Sequence, residues 1–187
     1  MKQPKIKKPY LLYVGNAFPH KNLERLVSSF KIILKDKPYL KLVLVGQIDY
    51  FYQRLEKLVQ RLGLKTKVIF TGKVTDQELF WLYNNALVYL CPSLEEGFGL
   101  PGLEALARNL PVICSNQGPL PEIYKKAALY FNPENIQQMA EMILKVVGNE
   151  DLREKLKKAG QIQSQKYSWL QCAQETLVVY KSVMGNK

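Results

Sequence analysis

Between Glu95 and Glu104 the chain reads E-E-G-F-G-L-P-G-L-E. Gly97 and Gly99 carry no Cβ, so the backbone there can approach a ligand closely and present its N–H groups. Pro101 fits the first position of a helix running to about Arg108, where its fixed φ suits the turn and its missing N–H is not needed. The positive end of that helix faces the same loop, so an anionic or hydroxyl-rich ligand is expected. Glu96 lies in the loop and Glu104 within the first helical turn, which lets the two carboxylates serve different parts of an elongated ligand. Each residue also has a plainer use. A first-turn Glu104 is favourable for dipole reasons alone. Glu96 taken singly reads as a solvated loop acid. Phe98 and Leu100 could be core, although a phenylalanine between two glycines is awkward to pack.

The elements that must position this segment follow from hydrophobic period. Short apolar runs alternate with amphipathic stretches, the pattern of βαβ units and a parallel sheet. YLLYVG ends at Gly15, KLVLVG at Gly46 and VIFTG at Gly72. Helical spacing follows each, as in Leu23, Leu26, Val27, Phe30, Ile33 and Leu34. Thr75-Asp76-Gln77-Glu78 is a capping box. ALVYLCPS leads into the 95–104 segment, PVICS is a fifth strand, and ALYF near Tyr130 a sixth. Asn132 with Pro133 reads as the start of a helix to about Val147. Asn149 caps another to about Lys166, and Ser168 with Gln171 a last one from Trp169 to about Val183. Ligands of open parallel sheets bind beyond the carboxyl ends of the strands. Gly15, Gly46, Gly72 and the loop after Pro92 therefore share one functional edge. The expected fold is α/β: a single Rossmann-like domain, its parallel sheet of about six strands covered by helices on both faces.

Composition narrows the chemistry. Lys and Arg outnumber acids by 27 to 16, a net charge of +11, which suits a phosphate-bearing ligand, a nucleic acid or an anionic surface. The excess is spread along the chain and matches no nucleic-acid motif, so no nucleic-acid partner is expected. His20 is the only histidine, which excludes a Ser-His-Asp triad built without it. Cys91, Cys114 and Cys172 match no metal or disulfide spacing. No apolar run approaches the ~20 residues of a membrane span, and the basic MKQPKIKK start lacks the apolar core of a signal peptide. A cytoplasmic location is expected. No strand leads into G-x-G-x-x-G, which argues against a dehydrogenase.

E-G-F-G-L-P-x-x-E at Glu96 to Glu104 resembles the signature of the family-four (group 1) retaining glycosyltransferases, whose GT-B fold has two Rossmann-like domains. Cys91-Pro92-Ser93 fits the same pattern, and Gly15 to Asn22, VGN…HKN, is similar to the family's phosphate-binding loop. The similarity in pattern runs from about Pro9 to Tyr180. It implies that Glu104 holds ribose hydroxyls and that Glu96 holds hydroxyls of the transferred hexose beside the reacting carbon. Backbone N–H groups from Gly97 and Phe98 to Gly99 and Leu100 would bind the donor's sugar or phosphates, and Lys21 would neutralise the diphosphate. Gly72, Lys73 and Val74 would face the base. The chain departs from many members after Gly15, where Asn16 stands in place of an arginine. Asn16 can donate a hydrogen bond but brings no charge, so phosphate affinity leans on Lys21. A lysine before a helix would read as solvated in isolation. At this place in the motif it does not.

The resemblance implies a donor-binding half. Residues 1–9 form a basic linker and 10–166 the nucleotide-sugar-binding domain. The segment 167–187 is expected to pack on an absent N-terminal, acceptor-binding domain or partner chain. The donor would be a nucleoside-diphosphate hexose such as GDP-mannose, transferred with retention, with no cofactor. No D-x-D pair occurs, so no metal ligands are expected and lysine with a helix terminus must offset the leaving charge. The chain alone is expected to be inactive, and the whole enzyme could contact a membrane peripherally. The alternative is a non-catalytic nucleotide-sugar-binding module acting with a partner chain, against which the retention of Glu96 speaks.

Overall fold

The computed structural model describes residues 6–185. Most of the basic stretch at 1–9, residues 1–5, lies outside them, as do the last two residues of the 167–187 segment. Six strands form one parallel sheet: β1 (Tyr10–Val14), β2 (Lys41–Val45), β3 (Val68–Gly72), β4 (Val88–Cys91), β5 (Val112–Ser115) and β6 (Ala128–Phe131). Their order is β3-β2-β1-β4-β5-β6. Helices connect them: α1 (Leu23–Asp36), α2 (Tyr50–Arg61), α3 (Asp76–Asn85), α4 (Leu100–Ala107) and the short α5 (Leu120–Tyr124). Three more follow the sheet, α6 (Ile136–Val147), α7 (Glu150–Ser164) and α8 (Trp169–Met184).

The strands read as continuous apolar runs because both faces of the sheet are covered. Alternate side chains enter separate cores. Leu11, Tyr13, Leu42, Leu44 and Leu90 meet α1, α2 and α6 on one face. Tyr10, Leu12, Val43, Tyr89 and Cys91 meet α3, α4 and α5 on the other. Cys91 and Cys114 are small buried core residues, whereas Cys172 is exposed. The α8 helix buries none of its residues, and Trp169, at 77% exposure, heads its apolar side chains.

Local signals settle most boundaries. Thr75 and Glu78 make both bonds of the capping box. Asn149 and Ser168 accept the amides of Leu152 and Gln171. The helix expected to open at Asn132 does not. Asn132 instead accepts the Glu134 amide, the Pro133 carbonyl is taken by Asn22, and Asn135 caps α6 through the Gln138 amide. The short α5 has no counterpart among the elements expected from the sequence, and Pro119 at its N-cap and Pro121 in its first turn both fit a helical start.

Close packing at the strand ends limits residue choice more than dihedral angle does. A Cβ added at Gly46 would lie 2.0 Å from the Gly15 carbonyl oxygen and 2.6 Å from the Tyr52 hydroxyl. Gly46→Ala should lower the stability by about 1–3 kcal/mol through overpacking, read as a lower urea midpoint at unchanged slope. An unshifted midpoint would show that the two loop ends are not in contact.

Candidate functional site

The sheet order reverses between β1 and β4, so the loops after these strands part and leave a crevice at their carboxyl ends. The first loop is anchored from below. Gly15 N–H donates to the Val45 carbonyl, and the Gly15 carbonyl accepts the Tyr52 hydroxyl at 2.9 Å. The Gly15 amide is therefore engaged within the fold. The Asn16 Oδ1 accepts the Phe18 amide at 3.2 Å, a bond that shapes the turn. A 3-10 turn at Pro19–Lys21 then lifts Lys21, and Asn22 follows in the left-handed region at φ 58°.

Asn22 ties this loop to its neighbours. Its Nδ2 donates to the Pro92 carbonyl at 3.0 Å and to the Pro133 carbonyl at 2.8 Å. Leu94 N–H adds a bond to the His20 carbonyl at 2.7 Å. Across the seam so formed, Lys21 Nζ lies 2.8 Å from Glu96 Oε1, with the side chains 16% and 15% exposed. Ser93 Oγ donates to the same Oε1 at 2.7 Å, and Cys91 Sγ stands 3.7 Å away. Burial, then the Glu96 carboxylate, pushes the Cys91 thiol up to about 12, so it stays protonated and unreactive near neutrality. Glu96 Oε2 accepts from no described residue.

The α4 terminus faces the same crevice. From Gly97 to Leu100 no backbone N–H donates to another described residue. That leaves consecutive donors at the positive end of a helix, an arrangement suited to phosphate or sugar oxygens. The two loop glycines differ in purpose. A Cβ on Gly97 would meet nothing within 4 Å, whereas one on Gly99, at φ +88°, would stand 2.2 Å from the Tyr124 hydroxyl. That hydroxyl donates to the Gly99 carbonyl at 2.5 Å. Gly99 is thus required by internal packing as well as by any ligand. Phe98, 40% exposed, stacks edge-on against Tyr167 with centroids 5.5 Å apart. Leu100 is exposed.

The α4 helix starts one residue earlier than expected, because Gly99 in the left-handed region is its N-cap and Leu100 its first residue. Glu104 consequently lies in the second turn, where the dipole argument for it weakens. It is exposed and its Oε2 accepts the Tyr83 hydroxyl at 2.9 Å. Burial, with Glu104 adding to it, keeps the Tyr83 phenol protonated far above its ordinary range. An open hollow beside it is lined by Asp76, Phe80, Tyr83, Glu104 and Arg108, with Arg108 stacked over Phe80.

The structure thus brings Lys21, Glu96 and the α4 amides together, and sets Glu104 further along the same helix. Gly72 turns at φ +72°, Lys73 is exposed and Val74 half-buried. No hydrogen bond joins those three to the Lys21–Glu96 pair. Among the described residues no three His, Cys, Asp or Glu side chains cluster as a metal site, and no helix is long and apolar enough to cross a membrane. The residues missed by spacing arguments are the phenols of Tyr83 and Tyr124 and the role of Ser93. Their only signal was general: a buried hydroxyl needs a partner.

Known proteins resemble this chain in sequence and in fold. The profile of the family described as glycosyl transferases group 1 matches residues 1–163. O-antigen chain mannosyltransferase B of Escherichia coli is 32% identical over 173 residues, 92% of this chain and 45% of that protein. Sucrose-phosphate synthase from Thermosynechococcus elongatus superimposes with a TM-score of 0.86 at 30% identity, over 94% of this chain and 45% of that one. The C-terminal domain of a glycosyl transferase group 1 family protein from Francisella tularensis superimposes at 0.73 and 27% identity, over 84% and 85%. The chain spans less than half the length of the first two.

The two motif glycines should respond differently to alanine. Gly99→Ala should cost about 2–4 kcal/mol, from the left-handed backbone and the collision with Tyr124 together. Gly97→Ala should stay below about 1 kcal/mol, as an open surface site does. Urea unfolding of both variants checks this, and equal losses would show that the loop packs otherwise.

Proposed function

This chain belongs to the group 1 glycosyl transferases, and we propose that it is the donor-binding part of a retaining hexosyltransferase using a nucleoside-diphosphate sugar. The observation that carries this is the Lys21–Glu96 pair, 2.8 Å apart, set in the crevice beside the unengaged amides of Gly97 to Leu100. A cation, a carboxylate and a helix terminus within one loop pair match the three parts of such a donor. Lys21 and the α4 terminus take the diphosphate, and they offset its charge as the glycosidic bond breaks. Glu96 takes hydroxyls of the hexose next to the anomeric carbon. Glu104, oriented by Tyr83, takes the ribose hydroxyls as a charged acceptor, with the base toward Gly72, Lys73 and Val74. The similarity to a mannosyltransferase supports mannose as the sugar and GDP-mannose as the donor. No metal is assigned a part. Acceptor binding and transfer fall to the part of the longer relatives that this chain does not span, and the chain alone is not expected to transfer sugar. A cytoplasmic setting, with peripheral membrane contact by the whole enzyme, goes with this reading.

Two results test it by calorimetry, both in the presence of EDTA. Lys21→Ala should lose a charge-assisted contact of roughly 1.5–3 kcal/mol, a tenfold to hundredfold weaker Kd for GDP, on the order set by 1.4 kcal/mol per decade. Unchanged GDP affinity would remove the phosphate role from Lys21. Glu96→Gln releases Lys21 from its partner, so this variant should bind GDP at least as tightly as the unaltered chain. It should bind GDP-mannose more weakly, because the sugar loses a charged acceptor. Weaker binding of plain GDP by Glu96→Gln would show the two roles to be misassigned, and loss of all binding in EDTA would show a metal at the site.

A further inference from the structure

Ser93 is a serine at a place where packing asks for none. It is 1% exposed, directly after the buried Cys91 and Pro92, and an alanine would fill most of the same space. Its hydroxyl instead donates to Glu96 Oε1 at 2.7 Å. The backbone on either side is fixed: the Pro92 carbonyl accepts from Asn22 Nδ2, and the Leu94 amide donates to the His20 carbonyl. The seryl oxygen is thus held by the sheet and by the first loop at once, whereas Lys21 reaches the same Oε1 on a flexible four-carbon stem.

We propose that Ser93 is the positioning residue for Glu96, a neutral donor that keeps the carboxylate aimed into the crevice once Lys21 turns to an anionic ligand. This rests on the donor reading above. In the free chain Oε1 takes the ammonium and the hydroxyl together. An arriving diphosphate competes for the ammonium, and the hydroxyl remains as the close donor, since the Cys91 thiol at 3.7 Å is a weak one. With Oε1 fixed in this way, Oε2 faces outward as the acceptor for a sugar hydroxyl. Ser93 touches neither phosphate nor sugar and acts through Glu96.

The expected signature is a split between ligands. In calorimetry Ser93→Ala should bind GDP within about twofold of the unaltered chain, yet bind GDP-mannose about tenfold more weakly, the scale of one lost hydrogen bond to a charged group. Ser93→Cys, similar in size with a poorer donor, should fall between. Combining Ser93→Ala with Glu96→Gln should add nothing to the GDP-mannose loss of Glu96→Gln alone, the mark of two residues acting as one unit. A second reading needs no ligand: in urea unfolding the same double-mutant cycle should be non-additive. Equal losses for GDP and GDP-mannose would reduce Ser93 to a structural role and overturn the proposal, as would an additive unfolding cycle or an unaffected GDP-mannose affinity. An unaltered chain that binds neither ligand, with the unfolding cycle still non-additive, would instead overturn the donor reading on which this rests.

Discussion

Everything at the crevice depends on the buried amide of Asn22. A parallel sheet brings β1 and β4 side by side, but it does not dictate how the loops beyond them sit. Asn22 does so by donating to Pro92 in one loop and Pro133 in another, while Arg25 donates to its Oδ1 at 3.0 Å. A primary amide cut off from water must find partners or lose several kcal/mol, on the order of 1–3 in proteins. That obligation works in one direction only: the three loops must come together for it to be met. The residue also accepts the left-handed backbone that turns the 3-10 segment into α1, a conformation asparagine tolerates better than most. Lys21, one residue earlier, is carried to Glu96 as a consequence.

On the proposed donor reading, the ion pair solves a problem that such a site creates before its ligand arrives. A lysine placed to meet a diphosphate is a charge partly removed from water, and so is a carboxylate placed to meet a sugar. Each would be costly alone at this burial, and a pair with additional hydrogen bonds is tolerated. The two groups therefore compensate one another until a ligand carrying both an anion and hydroxyls arrives. The unengaged amides of Gly97, Phe98 and Leu100 need no such partner, because these residues are exposed and water can serve them. On that reading the affinity for a diphosphate is the net of two competing contacts at Lys21, which ties the behaviour of Lys21 to Glu96.

The strands and most helix starts were legible because they rest on local rules. Apolar runs of four to five residues gave β1 to β6, the first three ending at or beside a glycine, and side chains such as Thr75, Asn149 and Ser168 announced their own helices by capping. The failures occurred where a distant contact overrode a local preference. Asn132-Pro133 has the form of a helix start, but Asn22 claims the Pro133 carbonyl from far along the chain. Gly99 has a second reason to be glycine that its spacing did not show, since Tyr124, 25 residues later, already occupies the space a side chain would need. Glu104 fell just beyond the first turn because α4 begins one residue before Pro101. The candidate residues Lys21, Glu96 and Glu104 were legible only as a pattern of types and spacing. That Ser93 and Tyr83 hold them in place was not, since a hydroxyl gives no periodic signal.

Tyrosines carry much of the support beneath the site, and the reason is chemical. Tyr13 donates to the Asn16 carbonyl, Tyr52 to Gly15, Tyr83 to Glu104 and Tyr124 to Gly99. Each presents a rigid ring to a core and a single donor to a loop, so it fixes a carbonyl or carboxylate at low conformational cost. Burial is the largest cause raising all four phenols above their ordinary value of 10. A group whose folded pKa is raised lends its stability below the unfolded value and loses it only as pH climbs past that value. Through the neutral range these four struts therefore remain protonated donors. The groups left to respond to a ligand are the ones that carry charge into the crevice, Lys21 and Glu96, while the frame that aims them does not titrate.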